Sequence, residues 1–181
     1  MKTINEIIDK VIHDEAGFVD HPNDPGGATM YGITEKVARK HGYKGHMREL
    51  PLSLAKAIYY HDYVIEPGFD KVLLLSSDVA AELVDTGVNL GQSTASEFFQ
   101  QLLNTFNLNG KLYADIGVDG DIGPATINAF AAYLRARKDN GVSVMLKGLN
   151  CLQGAHYVAI AKSNKKLEDF TFGWFSNRVQ L

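Results

Sequence analysis

Cysteine occurs once, at Cys151, so the chain cannot close an intramolecular disulfide and must hold its fold by packing alone. That suits folding in a reducing cytosol. Within its helical surroundings Cys151 reads as a small hydrophobe. Long apolar runs are missing as well. The N-terminal stretch MKTINEIIDKVIHDEAG meets an acidic residue at Glu6 and never accumulates the hydrophobic segment of a signal peptide or a membrane span. Stable membrane insertion is therefore not expected, and a target outside the cytoplasm would require separate delivery. An excess of positive charge is also lacking. The net charge of -3 argues against a phosphate-neutralising surface, so nucleic acid is not the expected partner. Lys162, Lys165 and Lys166 make only a local basic patch.

The familiar signatures of cofactor and metal chemistry are absent. There is no H-E-x-x-H, no G-x-S-x-G, no Walker motif and no dinucleotide fingerprint. His13, His21, His41, His46, His61 and His156 show no recognised ligand spacing, so neither a metal nor a cofactor is expected.

What remains is a chain of 181 residues with 45% hydrophobic and 22% charged residues, suited to one domain, or one domain with a closely packed extension. The periodicity is mostly helical. Thr3 and Glu6 form a capping box that opens a helix carrying Ile4, Ile7, Ile8, Val11 and Ile12 and stopping near Ala16-Gly17. From Asp20 to Ile33, prolines and glycines exclude a regular helix and suggest a compact loop or small β-hairpin. Helices are then expected behind a Thr34 cap up to His41-Gly42, from Ser53, behind a Ser77 cap to Leu90, and after Ser93 or Thr94. Pro124 should open one that reaches about Arg137. Val142 to Ser163 reads as a long helix weakened by Gly148 and Gly154. In the tail, Phe170, Phe172, Trp174 and Phe175 suggest core packing, with the lysines facing solvent; a membrane- or wall-contacting helix is the other reading. The fold class is mostly α, with one functional loop.

Glu15 stands out by its position on the first helix. Relative to Ile4, Ile8 projects at about +40°, Val11 at about -20° and Glu15 at about +20°. A carboxyl centred on an apolar stripe should be partly desolvated, and the helix C-terminus adds negative potential. Both effects favour the protonated form that a glycosidase acid needs at neutral pH. An acid beyond the helix end that simply faces solvent is the alternative.

The residues that follow carry a resemblance. Glu15-Ala16-Gly17-Phe18 resembles a Glu-Gly-Gly-aromatic motif, and Asp24-Pro25-Gly26-Gly27-Ala28-Thr29-Met30-Tyr31-Gly32-Ile33-Thr34 resembles a D-P-G-G-x-T-x-aromatic-G-I-T motif. Both belong, at this spacing, to the glycoside hydrolase family 108 N-acetylmuramidases of phage endolysins and prophage lysis proteins. Fainter likeness continues through Ala57-Ile58-Tyr59, Tyr63, DTGVNLG from Asp85, VDGDIGPAT from Val118, and Gly173-Trp174 with Arg178. Val64 stands where members often have Trp.

The resemblance implies a lysozyme-like helical domain with a small loop or β-hairpin after the first helix, and Glu15 as the catalytic acid. It implies hydrolysis of the β-1,4 bond between N-acetylmuramic acid and N-acetylglucosamine in bacterial peptidoglycan. The order of Glu, Asp and Thr is similar to that of phage-type lysozymes, in which the Asp and Thr hold water or stabilise charge. That makes Asp24 and Thr29 candidate catalytic residues, although Asp24 can equally be a turn residue and Thr29 a hairpin brace. Tyr31 is a sugar-stacking wall or a core aromatic. Asp85 and Asn89, four residues apart on one helix face, form a sugar-binding rim or a buried bracing pair.

The expected organisation is one lysozyme-like domain over residues 1–181, with a catalytic half at 1–91. A helical half at 92–181, resembling a peptidoglycan-binding module, packs against it. Asp115, Asp119 and Asp121 lack the EF-hand spacing and read as a tight turn feeding a Pro-capped helix. The expected partner is the peptidoglycan glycan strand, met by a monomer. It would be made without a signal peptide in the host bacterial cytoplasm and act in the periplasm after release. A lytic transglycosylase and a non-catalytic wall-binding or secretion-accessory protein are the rival readings.

Overall fold

A computed structural model describes residues 3–15, 17–19 and 28–179. Helix α1 spans Ile4–Asp14 and opens on the expected capping box: the Glu6 amide donates to Thr3 Oγ1 at 3.2 Å, and the Thr3 amide donates to Glu6 Oε2 at 2.7 Å. Its buried face is Ile4, Ile7, Ile8 and Ile12. A three-stranded antiparallel sheet follows, β1 (Phe18–Val19), β2 (Thr29–Met30) and β3 (Ile33–Thr34), with Met30 opposite Ile33 and Thr29 opposite Thr34. The loop between β2 and β3 is only Tyr31 and Gly32, at φ 55° and 74°. Two positive φ angles in a two-residue loop define the hairpin turn whose twist matches its strands. The end of the expected loop is thus a hairpin with β1 laid against it, and residues 20–27 lie outside the described residues.

Thr34 caps α2 (Glu35–Lys40) through a bond from the Val37 amide. Helix α3 (Leu52–Tyr60) begins after Pro51 rather than at Ser53, since proline fixes the preceding extended geometry and needs no amide partner. It runs on into a π-helical turn, His61–Ile65, and then α4 (Phe69–Leu73). Val64, the position noted above for its missing Trp, is fully buried there. Helix α5 (Ser77–Leu90) is capped by Ser76, one residue before the expected Ser77.

Helices α6 (Gln92–Phe106), α7 (Pro124–Arg137) and α8 (Asp139–Ser163) form the second half, with Pro124 in the first turn of α7 as expected. Gly148 does more than weaken α8. A Cβ there would sit 2.9 Å from both Leu102 methyls, so the missing side chain lets α6 and α8 approach closely. Between α6 and α7, the buried Gln100 organises the VDGDIG turn. Its amide nitrogen donates to Asp119 Oδ1 at 2.7 Å and to the Asp121 carbonyl at 2.9 Å, while its oxygen accepts from the Asp119 and Gly120 amides. The Asp121 backbone and the Gln100 side chain hold the Asp119 carboxyl below its ordinary range. This is the tight turn read from the sequence.

One hydrophobic core joins the two halves, running from Ile4 and Ile58 through Leu83 and Phe99 to Phe130, Tyr133 and Leu149. Two expectations about the C-terminal region need correcting. Cys151 is exposed on α8 rather than packed as a small hydrophobe. No residue of α9 (Glu168–Arg178) is buried: Trp174 and Phe175 lie against Tyr157, but Phe170 is exposed and Phe172 is 85% exposed. An 11-residue helix lying on the surface has a single inward face, too narrow for four aromatics. Among the described residues no helix is long and apolar enough to cross a membrane.

Candidate active site

Glu15 is the C-cap of α1; its amide closes the last turn onto the Val11 carbonyl at 3.0 Å. The helix ends there, and its burial ends just before: Ile12 is the last buried residue, and His13, Asp14 and Glu15 are exposed. Glu15 is accordingly exposed, and the desolvation expected from its place on the apolar stripe is not found. A helical projection gives direction but not depth, and α1 has left the core by this turn.

What does reach Glu15 is the hairpin. A Cβ on Gly32 would lie 3.1 Å from Glu15 Cβ, 3.2 Å from its Cγ and 2.7 Å from the Tyr59 hydroxyl. Only a glycine lets the turn seat itself between the carboxylate stem and that phenol, and its φ of +74° favours glycine as well. Tyr59, on α3, donates to the Tyr31 carbonyl at 3.0 Å and so holds the residue whose positive φ is unusual for a side chain of its size. Burial, with the charges of Tyr63 and Glu15, pushes the Tyr59 hydroxyl up to about 12, which keeps it a donor at any physiological pH.

Tyr59 stacks on Tyr63 with ring centroids 5.7 Å apart. Both line a cavity of about 130 Å³ with Gly32, Thr34, Val37 and Asp62. The π-helical turn, closed by the Glu66 amide onto the His61 carbonyl at 2.8 Å, sets Asp62 and Tyr63 into this wall. Such insertions recur at functional sites. On β1, Phe18 stacks on His46 and lies under the Arg48 guanidinium, whose carbon is 4.0 Å from the ring centre.

The remaining candidates fall as follows. Thr29 sits in the central strand, and Tyr31 at the hairpin tip is half-buried. Asp24 lies outside the described residues. Asp85 binds Arg178 Nη1 at 3.2 Å, and its carbonyl accepts from Asn89 Nδ2 at 2.6 Å, so the DTGVNLG segment ties α5 to the end of α9. Glu15, Thr29, Tyr31 and Gly32 belong to one corner of the molecule. Asp85 is engaged in the α5–α9 brace, and Asn89 bonds back within α5. Tyr59 and Tyr63 are four residues apart, and that spacing was the available signal for a shared face. Nothing in the sequence announced Asp62.

Glu82, also on α5, is the other carboxyl of note. It is buried, its Oε1 finds no hydrogen-bond partner among the described residues, and burial followed by Asp85 raises it to about 7 against a bond from Asn150.

The exposed Glu15 carboxyl at the end of α1, with the hairpin packed on its stem, is the candidate site. Residues 8–91 match the model of glycosyl hydrolase 108. This region belongs to that family. Residues 94–179 match a predicted peptidoglycan domain. The chain is therefore a glycoside hydrolase of lysozyme-like, mostly α fold, with peptidoglycan as its substrate class. Among solved structures it is similar to SagA of Brucella abortus, at 25% identity and a TM-score of 0.59, covering 96% of this chain and 87% of that one. No curated protein matches it. The glycosyl hydrolase 108 region contains Glu15, the hairpin and the Tyr59–Tyr63 wall, and the peptidoglycan domain contains Gln100 and α7 to α9.

Proposed function

We propose that this protein is an endolysin-type muramidase that hydrolyses the β-1,4 bond from N-acetylmuramic acid to N-acetylglucosamine, with Glu15 as general acid. The observation that carries the reading is the packing of the Glu15 stem against Gly32 at the hairpin tip, within the glycosyl hydrolase 108 region. That contact fixes the stem while leaving the exposed carboxyl open to a glycan. Desolvation then comes from the substrate: a sugar laid over Glu15 displaces its water, disfavours the carboxylate and leaves a proton for the leaving oxygen.

Asp24 and Thr29 act on the water that attacks the anomeric carbon. For Thr29 the support is its place in the central strand beside the turn; for Asp24 it is the DPGG motif alone. Tyr31, Asp85 and Asn89 contact the glycan, with the α5–α9 brace holding Asp85 in place. Residues 1–91 act as the catalytic half and 92–181 as the wall-binding half of one packed unit. An endolysin setting, with release to the periplasm by a separate membrane protein, fits this chemistry.

Digestion of purified peptidoglycan followed by mass spectrometry tests the bond. Reducing muramic acid ends are expected; anhydro ends would make the enzyme a lytic transglycosylase, and intact glycan would leave a binding protein. Glu15→Gln should lower lysis by a factor of about 10² to 10⁴ with unchanged circular dichroism and wall binding. Turnover retained in that variant would refute Glu15 as the acid.

A further inference from the structure

His41 converges with the adjacent pair His61 and Asp62, distant from it along the chain, at the edge of the Tyr59–Tyr63 cavity. His41 is the C-cap of α2, and His61 and Asp62 open the π-helical turn. His41 Nε2 lies 3.0 Å from Asp62 Oδ1, and His61 Nδ1 lies 2.9 Å from the same oxygen. The imidazoles meet edge to face, with centroids 5.1 Å apart. The three potential ligand atoms all lie within 4.8 Å of one another.

We propose that His41, His61 and Asp62 form a binding site for a divalent first-row transition metal of the zinc type. Two imidazole nitrogens and one carboxylate oxygen match the borderline character of Zn²⁺, whereas Mg²⁺ and Ca²⁺ call for oxygen throughout. As hydrogen bonds, the two contacts would need a proton on His41 Nε2 and one on His61 Nδ1, both aimed at a single oxygen. A cation among the three atoms replaces both protons and satisfies all three groups together.

The setting has the asymmetry of a site with an open position. The His41 and Asp62 side chains are 16% and 22% exposed, whereas that of His61 is 48% exposed and leaves one side to solvent. Three protein ligands and one exchangeable water is a recurrent zinc arrangement. The ligands are also held from behind. Gln92 Nε2 donates to the Asp62 carbonyl at 3.4 Å, and Lys40, next to His41 in the chain, pairs with Glu66 at 3.9 Å. Occupancy would pin the end of α2 to the cavity wall. The proposal is independent of the role given to Glu15.

The test is titration of the full, chelator-stripped chain with ZnCl₂ by calorimetry, with Co²⁺ as a spectroscopic probe. Saturable uptake of about one equivalent is expected, with the intense visible absorption of four-coordinate cobalt. At about a hundredfold excess over Kd, the melting temperature should rise by roughly 5–10 °C. His61→Ala, on the exposed side, should weaken binding at least about tenfold with the fold intact, Asp62→Asn should do the same, and His13→Ala should change nothing. MgCl₂ should give no saturable heat. Absence of saturable zinc uptake, or uptake equal in His61→Ala and the unaltered chain, would overturn the site.

Discussion

Replacing Glu82 by glutamine should remove a defined share of the pH dependence of stability. Glu82 is 8% exposed, and its carboxyl is raised from near 4.5 to about 7 by burial and by Asp85. Below pH 4.5 the group is protonated in both folded and unfolded chains, and its contribution is fully present. As pH rises, the unfolded chain ionises first, so the folded state holds the extra proton and stability falls until the pH passes 7. With about 1.36 kcal/mol for each unit of displacement, the full loss is of order 3 kcal/mol, and the portion between pH 5 and 8 is about 2–3 kcal/mol. Glutamine does not titrate and keeps an oxygen for the bond from Asn150. Urea unfolding of both proteins at pH 5, 6, 7 and 8 isolates the effect, because every other titrating group cancels in the difference between them. The unaltered protein should lose ground to Glu82→Gln steadily over that range. A difference constant with pH would refute the reasoning, even if the variant were uniformly more or less stable.

Gly32→Ala should cost about 1–3 kcal/mol in urea unfolding and reduce wall lysis, because the added methyl meets the Tyr59 hydroxyl and the Glu15 stem at an unfavourable φ. Gln100→Ala should cost about 2–4 kcal/mol, measured the same way, by stripping partners from the Asp119 and Gly120 amides while leaving Pro124 to open α7. Asp85→Ala and Arg178→Ala should each destabilise the chain, with a coupling of about 0.5–1.5 kcal/mol in a double-mutant cycle. A rise in KM for soluble glycan confined to Asp85→Ala would separate sugar contact from bracing.

Local signals in the sequence translated well into structure where neighbours within a few residues decide the outcome. The Thr3–Glu6 box and the Thr34 cap satisfy first-turn amides, and Pro124 brings no amide that needs a partner, so α1, α2 and α7 start where expected. Ser77 gave way to Ser76, since either hydroxyl could serve and only the incoming chain direction selects between them. Depth was not legible. Glu15 lies in the expected direction, but whether other elements cover it depends on where α1 leaves the core. The same limit explains Cys151 and Phe172, apolar by composition yet exposed because each falls on the outward side of its helix. The His41–Asp62 contact spans 21 residues and two elements, with no periodic pattern to announce it.

The regions matching the two families are separated by only residues 92 and 93, which lie in the first turn of α6, and one core runs beneath both. A flexible tether would raise the local concentration of substrate around the cleft by an amount set by its length. A helical joint works differently. Any glycan contact made by the second half would stand at a fixed offset from Glu15, and that offset would set which bond along the strand is presented for cleavage.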